Sequence, residues 1–187
     1  MKRLFLAIPI NIGEDFQTLF NELHRNLAHE HNINWVNNKQ VHLTLKFIGN
    51  CSYENEIHII DAVGKMLENY HPFEINFDKV GIFGSRYAPR VLWLGPTINP
   101  ETLISLANTT LTTFDNIGFE RTTENFVPHL TLCRIKSLCD KQYFQKVIHN
   151  IEPKTFIHQQ VDKIILFQSI LEPTGAVYKI EKEWMLK

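Results

Sequence analysis

The string His42-Leu43-Thr44-Leu45 recurs 87 positions later as His129-Leu130-Thr131-Leu132. One H-x-T match in a chain with nine histidines carries little information, but an identical pair, both Leu positions included, is not expected by chance. In a strand, residues i and i+2 face the same way, so each copy sets an imidazole beside a hydroxyl on one face and two leucines on the other. Imidazole titrates near pH 6.5, so of two neighbouring rings one can be neutral and take a proton while the other is charged and gives one. Phosphodiester cleavage needs that pairing: a base for the attacking water, an acid for the departing ribose oxygen, and hydroxyl donors where charge builds. The scheme calls for no metal and no cofactor.

Neighbouring residues extend the set. Lys46 lies two beyond Thr44, so a straight strand puts it on the His face, where it could attract a phosphate or simply be solvated. Arg134 has the opposite parity, with Leu130 and Leu132, and reaches the same face only where the strand ends or twists. Cys133 shares the His129 parity, yet nothing in the sequence marks a thiolate, and a small neutral filler is the simpler reading. Residues 79–94 carry Lys79, Arg86 and Arg90 with no acidic residue, a basic stretch able to steer an RNA tail or to serve only as a solvated loop. Phe47 and Phe83 could stack on a base, although with 13 Phe in the chain core packing is the first explanation. His29-Glu30-His31 has no third ligand nearby and reads as a solvated helix end, not a metal site.

The apolar pattern supplies elements to hold these residues. Residues 3–8 alternate as a strand, and Ile12, Phe16, Leu19, Phe20, Leu23 and Leu27 then form one helical stripe. Val41 to Ile48 reads as a strand, and Ile57, Ile60, Val63, Gly64 and Leu67 as a second helix ending before Pro72. Phe73, Ile75 and Phe77 alternate. Residues 81–88, with Gly81, Gly84 and Ser85, read as a loop, followed by a strand from Val91 to Leu94. Asn99-Pro100-Glu101 is a helix start with Asn as cap. Strands at 129–135, 161–168 and 176–182 and a short helix at 140–149 complete the order. Without a strict βαβ rhythm, the pattern predicts an α+β fold with mainly antiparallel sheets in a single domain over residues 1–187.

Composition limits the partners. The net charge of −1 excludes a broad basic face coating duplex nucleic acid, though not a local anion site. Met1-Lys2-Arg3 and the apolar residues after it have the outline of an export signal, but the run is short and broken by Pro9. No run approaches the roughly 20 apolar residues of a membrane span, so no membrane partner is expected. Cys51, Cys133 and Cys139 are odd in number and unpaired in spacing, which favours a reducing, cytoplasmic setting.

Over nearly its whole length the sequence resembles the 2H phosphoesterase superfamily, and within it the RNA 2′,3′-cyclic phosphodiesterases also called 2′-5′ RNA ligases. Arg3-Leu4-Phe5-Leu6-Ala7-Ile8 is similar to the family's first strand. Trp35-Val36 with Val41 to Gly49 resembles the first signature, which commonly has Arg where Lys46 stands. Phe83-Gly84-Ser85 with Pro89 to Gly95 resembles the middle segment. Pro128 to Arg134 resembles the second signature, often with Ala in place of Cys133. Leu166-Phe167-Gln168-Ser169 and Gly175-Ala176-Val177-Tyr178 are similar to C-terminal segments.

The resemblance implies a two-lobed, pseudo-twofold fold whose antiparallel sheets face a central groove, with helices outside. It implies hydrolysis of RNA 2′,3′-cyclic phosphate ends to 2′-phosphomonoesters, with reversibility allowing weak 2′-5′ RNA ligation at the same site as a side reaction; a monomer is expected. His42 would be the proton donor and His129 the acceptor, and Thr44, Thr131, Lys46 and Arg134 would bind substrate. The two imidazoles are equivalent from sequence alone, so the order of acid and base stays open, as does the substrate: small cyclic phosphates, or binding of an RNA end without turnover, use the same residues.

Overall fold

A computed structural model describes residues 1–120, 125–173 and 175–187. In chain order the elements are β1 (Lys2–Pro9), α1 (Glu14–Asn26), β2 (Ile33–Trp35), β3 (His42–Cys51), α2 (Tyr53–Leu67), β4 (Phe73–Phe77), β5 (Lys79–Ser85) and β6 (Ala88–Gly95). Then come α3 (Glu101–Asn116), β7 (Leu130–Ile135), α4 (Lys141–His149), β8 (Ile157–Val161), β9 (Lys163–Glu172) and β10 (Gly175–Met185). Two four-stranded sheets, ordered β10-β9-β1-β3 and β2-β7-β6-β5, are joined by a β4–β8 pair, and every pairing is antiparallel. The fold is α+β, as the sequence pattern requires.

Leaving β2 and β10 aside, the order β-α-β-α-β-β runs twice, from β1 to β5 and from β6 to β9. The halves exchange their last strands: β5 completes the second sheet beside β6, and β9 completes the first beside β1. Neither half therefore closes its own sheet. In the central pair Ile75 lies opposite Gln159, Phe73 opposite Val161 and Phe77 opposite Ile157, so the pseudo-twofold axis passes through the Ile75–Gln159 pair.

Local chemistry accounts for the helices. In α1 the stripe of Phe16, Leu19, Phe20 and Leu23 is buried, with Glu14 and Asp15 in the first turn and His24 and Arg25 in the last, each favourable to the helix dipole. Ser52 Oγ accepts from Asn55 N to cap α2, and Asp140 Oδ1 accepts from Tyr143 N to cap α4. At α3 the expected Asn99 cap is not formed; Pro100 occupies the cap position and no side chain caps the helix. Leu43, Leu45, Leu130 and Leu132 join one apolar core with the helix stripes. Each fully buried Leu contributes about 1.5 to 3 kcal/mol.

The expected loop at 81–88 is instead β5 and a two-residue turn at Arg86-Tyr87 leading into β6. Its glycines answer to contact and turn geometry. A Cβ on Gly81 would run into the Trp93 indole, and Gly84 has φ +95° next to a register shift at the hairpin end. The short strands β2 and β8 carry too little periodicity to be read from sequence. No helix among the described residues is long and apolar enough to cross a membrane.

Candidate active site

His42 and Thr44 stand half-buried on one face of β3 while Leu43 and Leu45 enter the core, and His129, just before β7, and Thr131 repeat the arrangement with Leu130 and Leu132. β3 and β7 approach each other but belong to different sheets, and His129 lies near enough to His42 for its charge to act on that ring. Each imidazole is held in the same way. His42 Nδ1–H donates to the Gln40 carbonyl at 2.8 Å, and His129 Nδ1–H donates to the Val127 carbonyl at 2.8 Å. A carbonyl can only accept, so in both neutral rings the proton sits on Nδ1 and Nε2 presents a lone pair. Among the described residues neither Thr44 nor Thr131 engages its hydroxyl with a protein partner.

Both strands carry a β-bulge at the same place. Ala7 pairs with Thr44 but Leu6 with Lys46, leaving Leu45 as the extra residue; Trp93 pairs with Thr131 but Leu92 with Cys133, leaving Leu132. A bulge reverses the alternation beyond it. Lys46 therefore turns away from the His face: it is 6% exposed, and its Nζ donates to the Glu120 carbonyl at 2.9 Å. The straight-strand expectation for Lys46 is corrected on this ground. Cys133, which straight-strand parity puts beside His129, is likewise fully buried, and burial pushes its thiol pKa up to about 12. The residues swung onto the His face are Phe47, which is 63% exposed, and Arg134, whose charge acts on His129.

Aromatic rings wall the site. His42 packs against Phe5 at 4.8 Å between ring centroids, against Tyr178 at 5.1 Å with the planes perpendicular, and against Phe167 at 6.3 Å. His129 meets the edge of Phe83 at 4.7 Å, and Phe83 packs on Trp93. Phe83 and Phe167 occupy matching places in the exchanged strands β5 and β9, opposite Val91 and Phe5. Tyr178 has no counterpart, because β10 lies outside β9 whereas β5 is the edge of its sheet. Phe5 and Tyr178 carried no catalytic signature in the sequence; they stood out only as members of segments similar to the family's first strand and C-terminal region.

Burial holds both imidazole pKa values below the ordinary histidine value, and the Gln40 and Val127 carbonyls oppose that effect. Charge adds to it differently on the two sides: His129 acts on His42, and Arg134 acts on His129. The imidazoles thus feel each other across the groove. Tyr178 is kept protonated by burial, against the opposing charges of Arg134 and Arg3.

The other sequence candidates lie elsewhere. Glu30 is buried, and its carboxylate accepts from Cys139 N at 2.6 Å and Asp140 N at 2.8 Å, tying down the chain before α4, so the expectation of a solvated end is corrected for this residue. Arg86 stacks on Tyr87 at the β5–β6 turn and Arg90 is exposed on β6. An open cleft of about 640 Å³ between α1 and α4 holds none of these groups.

Residues 7–93 match the family model described as LigT like Phosphoesterase. The RNA 2′,3′-cyclic phosphodiesterase of Methanocaldococcus jannaschii is 31% identical over 97% of this chain and 99% of its own, and that of Aquifex aeolicus is 31% identical over 81% of each. The crystal structure of E. coli LigT complexed with 3′-AMP superposes with a TM-score of 0.75 at 26% identity, covering 99% of this chain and 98% of that one. The TT0787 protein of Thermus thermophilus shares the fold with a TM-score of 0.78 at 23% identity over 98% and 97%. Identity of 31% sustained over almost the full length of two chains, on the same two-lobed architecture, means that this chain belongs to the LigT-like phosphoesterases of the 2H superfamily.

Proposed function

We propose that this chain hydrolyses RNA 2′,3′-cyclic phosphate ends to 2′-phosphomonoesters by paired-histidine acid/base catalysis. One observation carries the reading: two imidazoles on facing strands, each pinned through Nδ1 to the carbonyl two residues before it, present Nε2 to a common groove in which one senses the charge of the other. The activity named for the relatives supports the substrate class.

His129 is the proton acceptor. The Arg134 charge beside it disfavours the imidazolium, so its neutral Nε2 takes the proton of the attacking water as the water oxygen bonds to phosphorus. The P–O3′ bond breaks and His42 delivers its proton to O3′, leaving a 2′-phosphate and a 3′-hydroxyl. With His129 neutral, the charge that opposes protonation of His42 is gone, which suits His42 to be the donor. Thr44, Thr131 and Arg134 hold the non-bridging oxygens as charge builds on them. Lys46, turned inward, has no part in binding. The same steps with an RNA 5′-hydroxyl in place of water form a 2′-5′ linkage. One chain supplies both imidazoles and the exchanged strands tie its halves together, so the reading is of a monomer acting as a single domain over residues 1–187.

The test is incubation in EDTA of the protein, and separately of the His42→Ala/His129→Ala double variant, with a short RNA ending in a 2′,3′-cyclic phosphate, resolving 2′- and 3′-phosphate products. Conversion to the 2′-phosphate by the unsubstituted protein alone is expected. Binding without product would leave an RNA-end binding module in its place, and neither binding nor product would point to small cyclic phosphates.

A further inference from the structure

The internal symmetry makes the two His-Thr strands nearly equivalent; Arg134 opposite Phe47 is one departure from it, and Tyr178, which has no counterpart, is another. We infer that Tyr178 contacts the substrate on the His42 side of the groove and fixes which ribose oxygen leaves. The inference rests on the cyclic phosphodiesterase reading and goes beyond it by naming the residue that selects the bond.

Four observations converge. Tyr178 sits on β10, the strand without a counterpart in the other sheet, so only His42 has such a neighbour. Its ring is held perpendicular to His42 at 5.1 Å and edge-on to Phe5 at 4.9 Å, which limits the directions its hydroxyl can take. Among the described residues that hydroxyl has no hydrogen-bond partner. The charges of Arg134, on the opposing sheet, and of Arg3, on β1, both act on it. A protonated phenol beside His42, without a protein partner and in the field of two arginines, is matched to an anionic or hydroxyl oxygen of the substrate.

The consequence follows from in-line geometry. Water enters from the His129 side, so the oxygen opposite it, next to His42, is the one that leaves. A cyclic phosphate can present either O2′ or O3′ there, depending on how the ribose is turned. A donor present only on the His42 side distinguishes the two orientations, and symmetric contacts from Thr44, Thr131 and the imidazoles do not.

The test compares the unsubstituted protein with Tyr178→Phe and Tyr178→Ala on one RNA 2′,3′-cyclic phosphate, reading kcat, KM, the 2′- to 3′-phosphate ratio and the pH profile, with circular dichroism and Tm as fold checks. Tyr178→Phe keeps the ring against His42, so fold and pH profile should be retained while kcat/KM falls roughly 10- to 100-fold, the scale of one hydrogen bond to a charged group. The 3′-phosphate share should rise in the same variant. Tyr178→Ala should in addition move the His42-dependent limb, because it opens that wall to water. If the unsubstituted protein is active and Tyr178→Phe matches it in rate and product ratio, the inference is overturned and the functional reading stands. An inactive unsubstituted protein removes both.

Discussion

Phe47 and Arg134 occupy the same structural position in the two halves, each two residues beyond the bulged leucine of its strand, and both are thrown onto the face that carries the histidines. The repeat thus builds two matching His-Thr faces and then equips one with an apolar ring and the other with a cation. The chemistry of the groove is asymmetric although its backbone is not.

Replacing either imidazole should remove the acid or the base and leave the strands intact, since both rings are only half-buried. His42→Ala and His129→Ala are each expected to lower kcat on an RNA 2′,3′-cyclic phosphate by roughly 10² to 10⁴-fold with an unchanged circular dichroism spectrum. A variant retaining near-normal turnover would take that residue out of the mechanism.

The pH dependence has a defined sign. Because burial lowers both imidazole pKa values, kcat/KM, which reports the free enzyme, should be bell-shaped with its optimum on the acid side of neutrality, the two limbs belonging to the pair. A bound phosphoryl anion favours imidazolium, so the kcat profile should lie at higher pH. Folding is linked to the same groups: as pH falls through about 6.5 the unfolded chain takes up protons that the folded rings refuse, and stability declines. A rate flat between about pH 5 and 9 would contradict paired imidazole catalysis.

Arg134→Gln tests the cation. Loss of its charge should raise KM for the cyclic phosphate and move the limb due to His129 upward in pH, because the guanidinium beside that ring opposes its protonation. A raised KM with an unmoved limb would mean that Arg134 binds substrate without tuning the base.

Lys46→Ala separates folding from binding. The inward Nζ and its bond to Glu120 predict a loss of about 1 to 3 kcal/mol in urea unfolding, while KM stays within about twofold. A large rise in KM at unchanged stability would restore Lys46 to the groove.

Gly81→Ala should be costly although its position is only half-buried. The added methyl meets the Trp93 ring, whose neighbour Phe83 walls His129, so a drop in Tm of several degrees should accompany slower turnover. An unchanged melting curve would show that the indole has room to move.

The sequence by itself determined the two His-Thr faces. A period of two places His42 with Thr44 and His129 with Thr131, and the repeat requires two such faces, because alternation is a property of the local backbone and needs no knowledge of the neighbours. Tertiary structure decided what stands around them. Whether Lys46 or Phe47, and Cys133 or Arg134, joins the site depends on bulges that exist only through pairing with β1 and β6, so parity counted along a single strand gives the wrong residue on both sides. The glycines of β5 look like a loop until Trp93 is seen to need the space above Gly81. Tyr178 reaches His42 from the far end of the chain because β9, exchanged between the halves, carries β10 with it to that sheet. Such a contact leaves no local trace, since neither its partner nor its direction is fixed until the sheets have closed.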